Sequence, residues 1–170
     1  MTIISSISGI RGTIGGKVND NLTPVDAVAY AAAYGTHLIN KFPNKVINVV
    51  IGRDARPSGP MIQNLVTNTL IGIGINCIDL GLSTTPTVEI AVVNENASGG
   101  IIITASHNPD DWNALKLLNE KGEFIDEVDG NNIASLAANY DFDFCNYKNI
   151  GSITNVDSYM DFHVNMVLKL

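Results

Sequence analysis

Ser106 and His107 stand side by side in Thr104-Ala105-Ser106-His107-Asn108-Pro109, and Lys116 follows ten positions after the serine. A serine beside a histidine supplies the residue types of a nucleophile and its base, whereas a lone lysine on a strand is usually solvated. The chain holds three arginines, Arg11, Arg53 and Arg56, all in short glycine- or proline-flanked stretches of its first third. Arginines gathered in loops, rather than spread over helix surfaces, suit an anion that the planar guanidinium can grip with paired hydrogen bonds. Gly52-Arg53-Asp54-Ala55-Arg56 also fits a second reading, a salt-bridge loop that satisfies itself. Adjacent side chains on a strand point to opposite faces, so activation of Ser106 by His107 needs a turn between them. His107 keeps two roles open: proton transfer, or bracing the loop through a neighbouring carbonyl.

These residues need elements to hold them. Ile101-Ile102-Ile103 reads as a buried strand, and Asn108-Pro109-Asp110-Asp111 as the turn after it. Residues 114–118 form the next strand. The turn between is too short for a parallel crossover, so the two strands pair antiparallel. Upstream, residues 3–8, 46–51 and 76–80 read as strands, and 9–16 as a glycine-rich loop or hairpin. Helices start at Thr23-Pro24, at Ser58 as a cap, and at Thr85-Pro86. Residues 126–140 are helical despite Gly130, residues 141–152 are irregular, and Asn155 caps a helix over 156–170. Apolar strands alternating with helices predict an α/β fold of three layers, a mixed, mostly parallel sheet covered on both faces. Residues 1–155 are expected to form one domain and 156–170 the start of a linker helix. The sequence stops inside an amphipathic stretch, so a longer parent chain is expected.

The bulk properties narrow the function. A net charge of −7 over 170 residues argues against a nucleic-acid surface. No apolar run approaches the roughly 18 residues of a membrane span, and no signal peptide is visible. Two cysteines, Cys77 and Cys145, make no disulfide framework, and no Cys/His spacing suggests zinc. A cytoplasmic setting is expected. Gly15-Gly16-Lys17-Val18 fails as a P-loop because valine replaces the magnesium-binding hydroxyl. A serine hydrolase or phosphatase using Ser106 is one rival, weakened by the missing Gly-x-Ser-x-Gly elbow. A non-catalytic phosphosugar-binding module is another.

The Thr-Ala-Ser-His-Asn-Pro segment, with Asn113-Ala114-Leu115-Lys116 after it, resembles the phosphoserine loop of the α-D-phosphohexomutases. These are the phosphoglucomutases, phosphomannomutases and phosphoglucosamine mutases. Ser8-Gly9-Ile10-Arg11-Gly12, Gly52-Arg53-Asp54-Ala55-Arg56 and Thr84-Thr85-Pro86 resemble further segments of that family, in the family's order. Ala114 departs from the glycine that relatives often carry there. The resemblance implies the N-terminal domain I of a four-domain enzyme. It implies phosphoryl transfer between the 1- and 6-positions of a hexose or hexosamine phosphate, through a phosphorylated Ser106 and a hexose bisphosphate. By the same resemblance Arg11 faces the reacting phosphate and Lys116 approaches the substrate hydroxyl and phosphate, a candidate for proton transfer; with Ser106 and His107 these are the expected catalytic residues, and Asn108 and Arg53 belong to the substrate and phosphate loop. It implies Mg2+ bound to this domain only through the phosphate on Ser106, since the Asp-Gly-Asp-x-Asp-Arg metal loop belongs to a later domain. The remaining mutase domains are the implied partners, and neither nucleic acid nor membrane is expected.

Overall fold

Strands and helices begin and end where their residues require it. The computed structural model describes residues 2–6 and 9–169. In chain order the elements are β1 (Ile4–Ser6), β2 (Gly9–Thr13), α1 (Pro24–Lys41), β3 (Asn48–Arg53), α2 (Gly59–Ile73), β4 (Asn76–Leu82) and α3 (Thr85–Asn94). Then follow β5 (Gly99–Ile103), β6 (Trp112–Leu118), α4 (Glu127–Asn139), β7 (Ile153–Asn155) and α5 (Tyr159–Val167). Thr23 and Asp26 cap α1 reciprocally, each side chain bonding the other residue's backbone N–H. Thr84 caps α3 and Asp126 caps α4 through side-chain oxygens.

Among the described residues the sheet runs β1-β2-β6-β5-β3-β4-β7. The β1-β2, β2-β6 and β6-β5 pairs are antiparallel, and the β5-β3, β3-β4 and β4-β7 pairs parallel. The sheet is mixed as expected, and its parallel half is narrower than the alternation suggests, because the N-terminal strands add antiparallel pairs. Along β3 and β5, side chains alternate between two cores. Val49, Ile51, Ile101 and Ile103 pack under α1, α2 and α4, whereas Val50 and Ile102 pack under α3 and Tyr159. Both faces are covered, which is why these strands are apolar throughout. Burying each such side chain contributes about 1.5–3 kcal/mol. Tyr34 of α1 is fully buried, its hydroxyl 2.7 Å from the Leu118 carbonyl and 3.2 Å from that of Gly100. A Cβ on Gly99 would lie 2.1 Å from the Tyr34 oxygen, so glycine is required there.

The structure corrects several local expectations. Ile7 and Ser8 of the first expected strand lie outside the described residues. Of the loop and hairpin readings of residues 9–16, the hairpin fits: residues 9–13 form a strand that pairs antiparallel with β1 and, on its other edge, with β6. Gly9 makes that pairing possible: its φ is +135°, and a Cβ would fall 1.9 Å from the Leu115 carbonyl oxygen. Ser58 precedes α2 but makes no side-chain cap bond; its hydroxyl accepts from the Asn113 amide at 2.9 Å. Asn155 does not cap the last helix. Residues 153–155 pair with β4, so the helix starts later, after Ser158. The base of α5 packs on α3, with Tyr159 buried and bonded to Asn94 and Glu95.

Candidate active site

The C-terminal ends of the parallel strands β3 and β5 lie side by side, the usual place for ligand chemistry in an α/β sheet. Arg53 closes β3, and the Asp54 N–H donates to the Ile103 carbonyl at 3.1 Å. From β5 the chain enters the loop 104–111 and returns as β6, antiparallel as its short turn predicts. Thr104 starts the loop. Its hydroxyl donates to Asp54 at 2.6 Å and accepts the Ser106 N–H at 3.0 Å. Ser106 is exposed and adopts φ +56°, a left-handed conformation that non-glycine residues hold only when their surroundings enforce it. Asn108 folds back on Ala105, both its N–H and its side-chain amide bonding that carbonyl.

Arg56 supplies the enforcement. Its guanidinium donates to the carbonyls of Pro109 (2.5 Å), Trp112 (3.1 Å), Ser106 (2.8 Å) and Asn108 (2.8 Å), and its Nε to the Asp54 carboxylate (3.1 Å). Those bonds occupy all five of its N–H groups. The expectation that all three arginines bind anions therefore fails for Arg56, whose donors are spent on backbone and Asp54. The self-satisfied salt-bridge reading of this segment is correct for the Asp54–Arg56 pair. Arg53 is also engaged, its Nε bonded to Gln63 at 2.6 Å and one terminal nitrogen to the Asp54 carbonyl at 3.1 Å.

Arg11 and Lys116 are placed differently. In the β2–β6 register Arg11 faces Ala114 and Gly9 faces Lys116, so both cations project from one face, one step apart along the diagonal. They share a cleft of about 330 Å³ with Ser6, Gly9, Ala114 and Phe124. Among the described residues neither makes a hydrogen bond or ion pair; Lys116 lies 5.9 Å from the Phe124 ring centre. Ala114 joins cleft and loop: it faces Arg11 on one side, and its carbonyl accepts the Thr104 N–H on the other. Three larger clefts, of about 410, 500 and 350 Å³, lie elsewhere on the surface. They hold none of the candidate residues, so volume is a poor guide to the chemistry here.

Thus the structure brings Arg11 and Lys116 together, and ties Asp54, Arg56 and Thr104 to the Ser106 loop. It does not bring Ser106 against His107: among the described residues no hydrogen bond joins that hydroxyl to the histidine, to Arg11 or to Lys116. Both Ser106 and His107 are exposed. Among the described residues no three His, Cys, Asp or Glu side chains are grouped as a metal site, and no helix is long and apolar enough to cross a membrane. The sequence reading missed the brace from Arg56. Its partners lie about fifty residues away and are main-chain carbonyls, which carry no residue-type signal.

Comparison with known proteins bears on this arrangement. Residues 4–144 match the family model described as "Phosphoglucomutase/phosphomannomutase, alpha/beta/alpha domain I". The chain is 34% identical over 148 residues to a phosphoglucomutase/phosphomannomutase of Thermococcus kodakarensis, covering 86% of this chain and 32% of that protein. It is 34% identical over 161 residues to a phosphoglucosamine mutase of Alkaliphilus oremlandii, covering 91% of this chain and 34% of the other. The chain spans about a third of the length of these relatives. The crystal structure of a phosphoglucomutase/phosphomannomutase family protein from Burkholderia thailandensis superposes with a TM-score of 0.79 at 23% identity, over 99% of this chain and 36% of that one. That likeness carries the fold alone. The family match covers most of the chain and agrees with relatives a third identical in sequence, so this chain belongs to the phosphoglucomutase/phosphomannomutase family, as its α/β/α domain I.

Proposed function

We propose that this domain carries the phosphoryl group of a phosphohexomutase on Ser106, within a longer chain that interconverts hexose or hexosamine 1- and 6-phosphates. The observation behind it is the pairing of an exposed serine on a braced loop with two cations on the adjoining strands that have no partner among the described residues. A hydrolytic serine needs a base in contact, and Ser106 has none among the described residues. A phosphate carrier needs reach, a fixed direction and cations nearby, because phosphoryl transfer depends on positioning and on neutralising charge.

In this reading a sugar hydroxyl attacks the phosphorus on Ser106. The bond from phosphorus to Ser106 Oγ breaks, a bond to the sugar oxygen forms, and the hydroxyl proton passes, in net terms, to the serine. The product is a hexose bisphosphate. It turns over in the site, and its other phosphoryl group returns to Ser106 by the reverse steps. Phosphoserine carries about −1.5 to −2 charges at neutral pH, which Arg11 and Lys116 offset. Lys116 is the nearer candidate for proton transfer, since it lines the cleft, with the exposed His107 as the other; Asn108 holds the loop through the Ala105 carbonyl, and Arg53 supports it from β3. A hard divalent cation takes six or more oxygens, and among the described residues the carboxylates do not group to supply them. Magnesium would thus meet this domain only through the phosphate oxygen, with its other ligands outside residues 1–170. We place the domain's end at residue 155, with 156–170 leading to the rest of the enzyme, and the whole in the cytoplasm.

The test uses the full-length protein. It should interconvert hexose 1- and 6-phosphates, and its intact mass should show one phosphoryl group on Ser106. Ser106→Ala should abolish turnover with an unchanged circular dichroism spectrum. Turnover retained in that variant removes the serine from the chemistry. Competing glucose, mannose and glucosamine phosphates against one another then identifies the substrate.

A further inference from the structure

We propose that Arg56 is a positioning residue for phosphoryl transfer: its guanidinium stands where a bound cation would otherwise stand inside the Ser106 loop, and it fixes the direction in which the serine oxygen leaves the sheet. The proposal rests on the reading of Ser106 as the phosphate carrier.

Four main-chain carbonyls, those of Ser106, Asn108, Pro109 and Trp112, converge on one point together with the Asp54 carboxylate. Carbonyl dipoles turned inward repel one another, and such a ring holds its shape only around positive charge. Elsewhere a desolvated metal ion does this; here the charge is covalently attached and buried, with the Arg56 side chain 8% exposed. The planar fork matters as much as the charge, because five N–H groups in one plane meet five oxygens at fixed angles. A lysine ammonium offers three donors in a tetrahedral array and cannot meet that set.

The clamp acts on Ser106 from both sides of its α-carbon. The Ser106 carbonyl is bonded to Arg56, and its N–H to Thr104, whose hydroxyl in turn donates to Asp54. Asp54 accepts from the Arg56 N–H and Nε, which closes the ring of contacts. Both backbone torsions of Ser106 are thereby set, and with them the left-handed φ of +56°. Arg56 has no donor left for a substrate or phosphate. Its contribution therefore falls on the chemical step and not on substrate affinity.

The experiment uses the full-length protein, with kcat, KM and Ser106 phosphorylation measured for wild type, Arg56→Lys and Arg56→Ala, and folding checked by thermal melting. A misplacement of about 1 Å costs on the order of 10²-fold in rate, so kcat of Arg56→Lys should fall by about that factor. KM should stay within about threefold, the signature of an interaction that serves the transition state alone. Guanidinium ion at millimolar, non-denaturing concentration should restore kcat of Arg56→Ala at least about fivefold, whereas sodium chloride at equal ionic strength should not. Arg56→Lys turning over within about threefold of wild type, or a loss confined to KM, overturns the proposal. Absence of guanidinium rescue in a folded Arg56→Ala overturns the cation-replacement part of it. If both variants fail to fold, Thr104→Val carries the test. It keeps the side-chain shape, removes the other arm of the clamp, and should lower kcat about tenfold with KM unchanged; an unchanged kcat overturns the proposal. A wild-type enzyme that turns over with no phosphate ever on Ser106 fails the carrier reading itself, and mass spectrometry distinguishes that outcome from failure of the Arg56 variants.

Discussion

The Ser106 loop and the Arg11–Lys116 cleft are neighbours on one sheet, and they treat their charged groups in opposite ways. In the loop every N–H of Arg56 has an oxygen partner, and Asp54 is shared between Arg56 and Thr104. In the cleft two cations lie on one face with no carboxylate paired to either among the described residues. Satisfied polar groups hold a shape, because breaking any one leaves another buried and unpaired. Unsatisfied cations hold little shape and keep their charge for a ligand. The presence of an arginine thus says little about anion binding; the number of its donors already committed decides it.

Substitutions can break that comparison. The largest effect is expected in the cleft and in activity alone. Arg11→Ala and Lys116→Met should each lower kcat/KM of the full-length enzyme about 10²- to 10³-fold, the usual cost of removing one positioned electrostatic partner. Stability should change by no more than about 0.5 kcal/mol for the exposed Arg11 and by about 1 kcal/mol or less for the half-buried Lys116. A large loss of melting temperature in Arg11→Ala would show that this arginine is part of the frame. Asp54→Asn sharpens the other side. It leaves the Arg56 cation with carbonyls only, and chemical denaturation should show a loss of about 2–3 kcal/mol, less than for a fully buried pair because Asp54 keeps 30% exposure. An unchanged denaturation midpoint would mean that the carbonyls alone satisfy Arg56.

The smallest effect lies away from both regions and serves as their control. His37 of α1 is buried against α4, with Nδ1 3.1 Å from the Asn132 amide and Nε2 3.5 Å from Asp129. A neutral ring suits both contacts, accepting at Nδ1 and donating at Nε2. Burial pushes its pKa below 6.5, with Asp129 opposing and the nearby Lys41 assisting. The unfolded chain therefore binds the proton more readily. The stabilisation from neutral His37 is complete above the unfolded value and is lost as pH falls through it toward the folded one. Denaturation midpoints measured between about pH 8 and pH 5.5 should decline, and His37→Gln should flatten that decline without altering kcat. An unchanged pH slope in His37→Gln would assign the decline to other groups.

Much of this was legible in the sequence. The apolar strands, the Thr23-Pro24 and Thr85-Pro86 starts and the antiparallel return after Asn108-Pro109 are local signals, and the structure honours them. The family was legible because its motifs are short and carry their own residue types. Where the reading went astray, a distant partner decided. Residues 9–13 read equally as a glycine-rich loop or a hairpin until β1 and β6 are seen on either side of them. Ser58 looks like a cap until Asn113 takes its hydroxyl. Asn155 looks like a helix start until β4 claims residues 153–155 as a strand. In each case tertiary pairing outweighs a local preference worth about 1 kcal/mol or less.

The β2–β6 register has a consequence for biosynthesis. Arg11 meets Ala114 across a sequence gap of about a hundred residues. At synthesis rates of about 5–20 residues per second, β2 leaves the ribosome several seconds before the strand it pairs with. Through that interval the N-terminal hairpin has one edge unmet, since two strands alone are marginal in water. The cleft is therefore assembled late, after β6 is made, and a nascent chain holding only the first hundred residues has no surface on which Arg11 and Lys116 meet. Hydrogen exchange during refolding should show the same order, with amides of β3 protected before those of β2.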